Sequence, residues 1–127
     1  MYKVLVTDPI SDKGLAIITD AGLELVYEPA LSPDSLNEAV ADVHGWVIRS
    51  GTTITAEHLD LAKNLKVIGR AGVGVDNIDI KAATNKGVLV MNMPDGNTIS
   101  AAEHTMALIS TLSRNIQLGH LGLVNGE

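Results

Sequence analysis

Short apolar runs alternate with helix-length amphipathic segments along this chain, and no other feature limits its fold as much. Val4-Leu5-Val6, Leu23-Glu24-Leu25-Val26-Tyr27, Gly45-Trp46-Val47-Ile48-Arg49, Leu65-Lys66-Val67-Ile68-Gly69 and Val88-Leu89-Val90-Met91 each read as a strand. Helix signals stand between them. Ser11 or Asp12 can cap a helix through Leu15, Ile17 and Ile18, which Gly22 stops. Ser32-Pro33 sets a capping residue ahead of proline at the first helical position, opening a helix through Leu36, Ala39 and Val40. Thr55 caps a third helix, with Glu57 near its positive end. A short fourth helix is expected near Asp79–Asn85, ended by Gly87, and a long last one from about Ser100 through Arg114 or beyond. Strands alternating with helices mean βαβ units, hence a parallel sheet with helices on both faces. Five such units match a doubly wound, flavodoxin-like α/β fold with strand order 2-1-3-4-5.

Composition narrows the function classes. With 127 residues, 46% of them hydrophobic, the chain has material for one buried core. Nine basic against fifteen acidic residues leave a formal charge of −6, and the arginines are only Arg49, Arg70 and Arg114. Nucleic acid is therefore a poor partner, because phosphate neutralisation needs clustered cations. Aromatic side chains are confined to Trp46, Tyr2 and Tyr27, which excludes base-stacking platforms. Without cysteine there is no disulfide framework, thiolate zinc site or cysteine nucleophile. No apolar run reaches the ~18 residues that a membrane span needs, and the first strand meets Asp8 too soon for a signal peptide. A soluble, cytoplasmic protein is expected.

In sheets of this kind ligands sit outside the carboxyl ends of the strands. Those ends carry Thr7-Asp8, Arg49-Ser50-Gly51-Thr52, Arg70-Ala71-Gly72-Val73-Gly74 and the Asn92–Asn97 stretch. Gly72-Val73-Gly74-Val75-Asp76-Asn77 starts like a dinucleotide fingerprint but has Asn77 where glycine or alanine belongs. No acidic residue ends the next strand, ~20 residues on. It reads either as a loop whose amides approach an anion directly or as a plain tight turn. Arg49, with Ser50 beside it, suits a bidentate carboxylate or phosphate contact; the alternative is a helix cap or an ion pair with a local aspartate. Arg70 is either a second anion contact or a loop-fixing ion pair. Asn97, Thr98 or Ser100 stands at the start of the last helix, where capping competes with anion binding. Glu103 and His104 point about 100° apart on a helix and cannot share a proton. His44, His58 and His120 show no metal-ligand spacing. The residues alone describe an anion site without catalytic machinery.

These same loops resemble the D-2-hydroxyacid dehydrogenase family. The resemblance is carried by Arg49-Ser50-Gly51-Thr52, by Gly69-Arg70-Ala71-Gly72-Val73-Gly74-Val75-Asp76-Asn77-Ile78-Asp79, by Ala82-Ala83-Thr84, by Gly87-Val88-Leu89-Val90-Met91-Asn92, and by Gly96-Asn97 through Ser100-Ala101-Ala102-Glu103-His104. It is strongest to the branch that oxidises 3-phosphoglycerate to 3-phosphohydroxypyruvate with NAD in serine biosynthesis. It implies that Arg49 and Ser50 hold the substrate's distal anion, that Gly72, Val73 and Gly74 cradle its carboxylate, and that Asn97 borders the substrate pocket. Val73 is implied to touch the nicotinamide end of NAD. The family's cofactor fingerprint and catalytic arginine, glutamate and histidine lie beyond the matching stretch, so no catalytic residue and no metal ligand is assigned. Residues 1–99 are expected to be the substrate-binding domain. Residues 100–127 are expected to be an interdomain and dimerisation helix, leading to an NAD-binding domain outside this chain. The expectation is an N-terminal portion, inactive by itself, that takes a small phosphorylated 2-hydroxy acid and forms a homo-oligomer through the helix after Ser100. The alternative is a non-catalytic small-anion binding or interaction module.

Overall fold

In the computed structural model of the chain, which describes residues 1–126, the five strands are Lys3–Val6 (β1), Glu24–Tyr27 (β2), Gly45–Ile48 (β3), Val67–Arg70 (β4) and Leu89–Met91 (β5). They form one parallel sheet in the order β2-β1-β3-β4-β5, the doubly wound order expected. The helices are Asp12–Asp20 (α1), Pro33–Ala39 (α2), Ala56–Leu61 (α3), Ile80–Asn85 (α4), Thr98–Ser113 (α5) and Ile116–Asn125 (α6), with a 3-10 turn at Val40–Asp42.

Local chemistry sets the helix boundaries. The Ser11, Ser32, Thr55 and Asp79 side chains accept the N–H groups of Gly14, Ser35, His58 and Ala82 respectively. Each cap contributes about 1 kcal/mol. Gly22 and Gly87 take φ of +73° and +69° where α1 and α4 stop, which a side chain would resist.

Strand register sorts the side chains into faces. One row crosses all five strands as Val26, Leu5, Trp46, Ile68 and Val90. It packs with Leu36 and Ala39 of α2, Val40, Leu59 of α3 and Ala83 of α4 into the core. Trp46, Leu5, Ile48 and Ile68 are wholly buried there. On the other face run Tyr27, Val6, Val47, Gly69 and Met91, with Leu25, Val4, Gly45, Val67 and Leu89. Toward β5 this face is open, with Leu89 and Met91 exposed.

The last helix departs from expectation. It starts at Thr98 and does not run on: Arg114 closes α5, Asn115 turns left-handed at φ +53°, and α6 begins at Ile116. Asparagine tolerates that region better than other side chains, so the break falls on it. Ser100 lies inside the first turn, its hydroxyl donating to the Asn97 carbonyl. The chain divides into two compact units, Met1–Pro94 and a helical one from Asp95 onward.

Candidate functional site

Two adjacent loops at the carboxyl ends of β3 and β4 form the candidate site. Ile48 and Arg70 pair across the strands, and the Ala71 amide donates to the Ile48 carbonyl at 2.8 Å. Arg49 and Ser50 follow β3 directly and both are exposed. The Arg49 guanidinium donates through Nη1 to the Pro9 carbonyl at 3.0 Å. It pairs with no carboxylate: the ion pairs among the described residues are Lys3–Glu24, Lys3–Asp42 and Lys86–Asp60. The ion-pair alternative for Arg49 and for Arg70 is therefore not what forms. Arg70 is half-buried, and its Nε is buried without a partner among the described residues. Two uncompensated guanidinium groups at neighbouring strand ends are unusual in a chain of net charge −6. Both favour an arriving anion.

The glycine loop is built to keep amides free. Asn92 donates to the Val73 carbonyl at 2.6 Å, and the Met93 amide donates to the Gly72 carbonyl at 2.9 Å. The Val73 and Gly74 amides have no acceptor among the described residues. A Cβ on Gly72 would strike the Arg70 guanidinium, and one on Gly74 would strike the Asp76 carboxylate. Neither glycine takes a positive φ; a side chain at either position would displace the Arg70 or Asp76 side chain from its place. The Asp76 carboxylate, beside Gly74, opposes an anion there.

This loop departs from a dinucleotide-binding turn in three respects. The Asp76 carboxylate flanks Gly74, Asn77 fills the sixth position, and α4 starts only at Ile80, too late for its amides to face the glycines. The Val73 side chain is 39% exposed. Asn97 stands in the second unit, at the N-cap of α5, and its side chain makes no capping bond. The histidines have structural partners or lie apart. His44 Nδ1 accepts the Lys3 amide, and His58 closes a capping box with Thr55. His104 and His120 belong to the second unit. No group of three potential metal ligands occurs among the described residues.

The sequence marks Asp8 and Asn77 by position but gives neither the role that the structure shows, shaping these loops. Asp8 is 6% exposed and accepts the amides of Arg49 at 2.6 Å and Thr52 at 3.1 Å. Asn77 donates to the carbonyls of Arg49 at 2.7 Å and Thr52 at 2.6 Å. A polar residue directly after a buried strand, and an amide where a fingerprint wants glycine, were the available signals.

Residues 4–119 match the D-isomer specific 2-hydroxyacid dehydrogenase family in its catalytic domain, and the chain belongs to that family. Among its relatives, D-3-phosphoglycerate dehydrogenase of Methanocaldococcus jannaschii is 46% identical over 127 residues, and that of Homo sapiens 42%. Each alignment covers 100% of this chain and 24% of the relative, so the chain spans about a quarter of their length. A solved structure from Thermus thermophilus superposes with a TM-score of 0.85 at 33% identity, over 98% of this chain and 40% of that one. The NAD+-bound 3-phosphoglycerate dehydrogenase of Entamoeba histolytica gives 0.76 at 29% identity, over 87% and 38%. Among the described residues no helix is long and apolar enough to cross a membrane.

Proposed function

We propose that this chain is the substrate-binding portion of an NAD-dependent 3-phosphoglycerate dehydrogenase. It orients a phosphorylated 2-hydroxy acid and neutralises its charge, while hydride transfer depends on groups outside the chain. The carrying observation is two guanidinium groups without a carboxylate partner among the described residues, Arg49 and Arg70, on the neighbouring loops after β3 and β4, the second of which also carries the free amides of Val73 and Gly74. In this reading Arg49 and the Ser50 hydroxyl take the phosphate, and the backbone from Gly72 through Gly74 takes the carboxylate. Such anchoring contributes to rate through orientation. Val73 is the one residue assigned to the nicotinamide end of NAD. Asn97 is assigned to the substrate pocket on family resemblance. Residues 1–99 serve as the binding segment and 100–127 as the connecting and self-associating segment. The test is titration of the 127-residue chain with 3-phosphoglycerate, followed by amide shifts. Arg49→Ala should cost about 1.5–3 kcal/mol of binding, the range for a hydrogen bond to a charged group. Equal affinity in wild type and mutant overturns the assignment.

A further inference from the structure

We infer that Asp8 and Asn77 are positioning residues, which hold the Arg49–Thr52 loop in the shape that presents Arg49 and Ser50 to an anion. The inference rests on the proposed function for its consequence, though not for its geometry.

The same two loop residues are gripped from two sides with opposite polarity. A single carboxylate oxygen of Asp8, Oδ2, accepts the amides of Arg49 and Thr52. A single amide nitrogen of Asn77, Nδ2, donates to the carbonyls of Arg49 and Thr52. Both polar groups of each end residue are thereby satisfied by side chains, although the loop is too short to satisfy them itself. Ser50 and Gly51 lie between the two grips, and their amides have no acceptor among the described residues. Fixing the loop's ends in this way leaves its middle free.

Three neighbours fit this role. A Cβ on Gly51 would collide with Asp8 Oδ1, so glycine at 51 follows from the carboxylate being there. The Thr7 and Thr52 hydroxyls are hydrogen-bonded at 2.9 Å, and Trp46 Nε1 donates to Thr7 Oγ1 at 3.0 Å, which ties the loop end to the core. Asp8 is buried with no ion pair among the described residues, so its partners are loop amides rather than a cation. The orientation of the Asn77 amide is fixed by its two carbonyl acceptors, since the reverse would set oxygen against oxygen.

A purely structural role would alter stability alone; a positioning role alters anion affinity in a chain that stays folded. The test uses the 127-residue chain, labelled for amide NMR, with 3-phosphoglycerate and then inorganic phosphate as probes. Asp8→Ala and Asn77→Ala should each weaken 3-phosphoglycerate binding about tenfold or more, as loss of charge-assisted or paired hydrogen bonds implies. Strand amides should keep their shifts. Asp8→Asn, whose carbonyl oxygen can still accept both amides, should recover most of the affinity. Without ligand, the Arg49 and Thr52 amides should exchange faster in Asp8→Ala. Folded variants that bind like wild type and leave these amides unmoved overturn the inference, as does an affinity loss accompanied by shifts across the whole sheet. If Asp8→Ala does not fold, Asn77→Ala and Asp8→Asn decide by the same readouts. If wild type does not bind, or Arg49→Ala binds equally well, the anion reading has failed. The grip is then judged on amide exchange at Arg49 and Thr52 alone.

Discussion

Single side chains at the ends of β1 and β3 carry more than their size suggests. Trp46 is wholly buried and its one polar atom meets Thr7, itself buried. Trp46→Phe keeps most of the apolar area but leaves the Thr7–Thr52 hydroxyl pair without that donor. An expected loss of about 0.5–1.5 kcal/mol, the net worth of one intramolecular hydrogen bond, is readable from urea midpoints. Lys3 and Asp42 make a different kind of contact, exposed and 3.0 Å long. The Asp42 carboxyl is held below its ordinary value of 3.8 by the hydrogen bond from Lys3 and by its charge. The Lys3 ammonium is raised above 10.5, chiefly by the hydrogen bond to Asp42. Stability from the lowered aspartate is full above its ordinary value and is lost as pH falls through the folded one. Stability from the raised lysine is full below its ordinary value and is lost as pH rises through the folded one. Asp42→Asn should therefore flatten a small pH dependence at both extremes, and added salt should shrink the difference from wild type. Identical pH profiles for mutant and wild type would remove any role for the pair.

Elements answer to local signals where the signals are local. Gly87 ends α4 at φ +69°, and a methyl group placed there would meet nothing within 4 Å, so Gly87→Ala tests conformation without a clash. A cost of about 1–2 kcal/mol is expected from the left-handed backbone, measured by chemical denaturation; an unchanged midpoint would mean that the turn re-forms with another φ. The same locality made the strands and caps readable from the chain. Ser11, Ser32-Pro33 and Thr55 act within three residues of themselves, and apolar runs report burial directly. The helix after Pro94 was less readable. Its apolar residues fall on all sides, so no stripe marks where one axis ends, and the break needed only one left-handed asparagine. Arg49 and the glycine loop stood out as candidates because strand ends collect ligands in this architecture. Asp8 and Asn77 were not, because they act on residues 41 and 44, and 28 and 25, positions away. No local pattern encodes a partner at that separation.

The whole molecule presents more apolar surface than a self-sufficient one needs. Met106, Leu112, Leu118 and Leu123 are exposed on α5 and α6, at 63%, 75%, 67% and 80%. Each forfeits about 1.5–3 kcal/mol relative to burial. The chain is expected to self-associate through this unit, and Leu112→Glu with Leu123→Glu to shift it toward monomer in light scattering. A wild-type monomer at micromolar concentration would count against that. Under the proposed function the purified chain should also fail to reduce NAD in the presence of 3-phosphoglycerate. Turnover in a preparation free of host enzyme would contradict it.

The strand order also has a bearing on how the chain is made. β1 is synthesised before both of its sheet neighbours, β2 and β3, yet it lies between them. Its Val4-Leu5-Val6 core must wait, unpaired, until a crossover has delivered each neighbour, and parallel pairing cannot be shortened to a hairpin. Asp8 waits with it, since both of its loop amides belong to residues beyond β3. During elongation the first half of the sheet therefore closes only when Arg49 through Thr52 has emerged. The Arg49–Thr52 loop and the centre of the sheet should form in a single cooperative step.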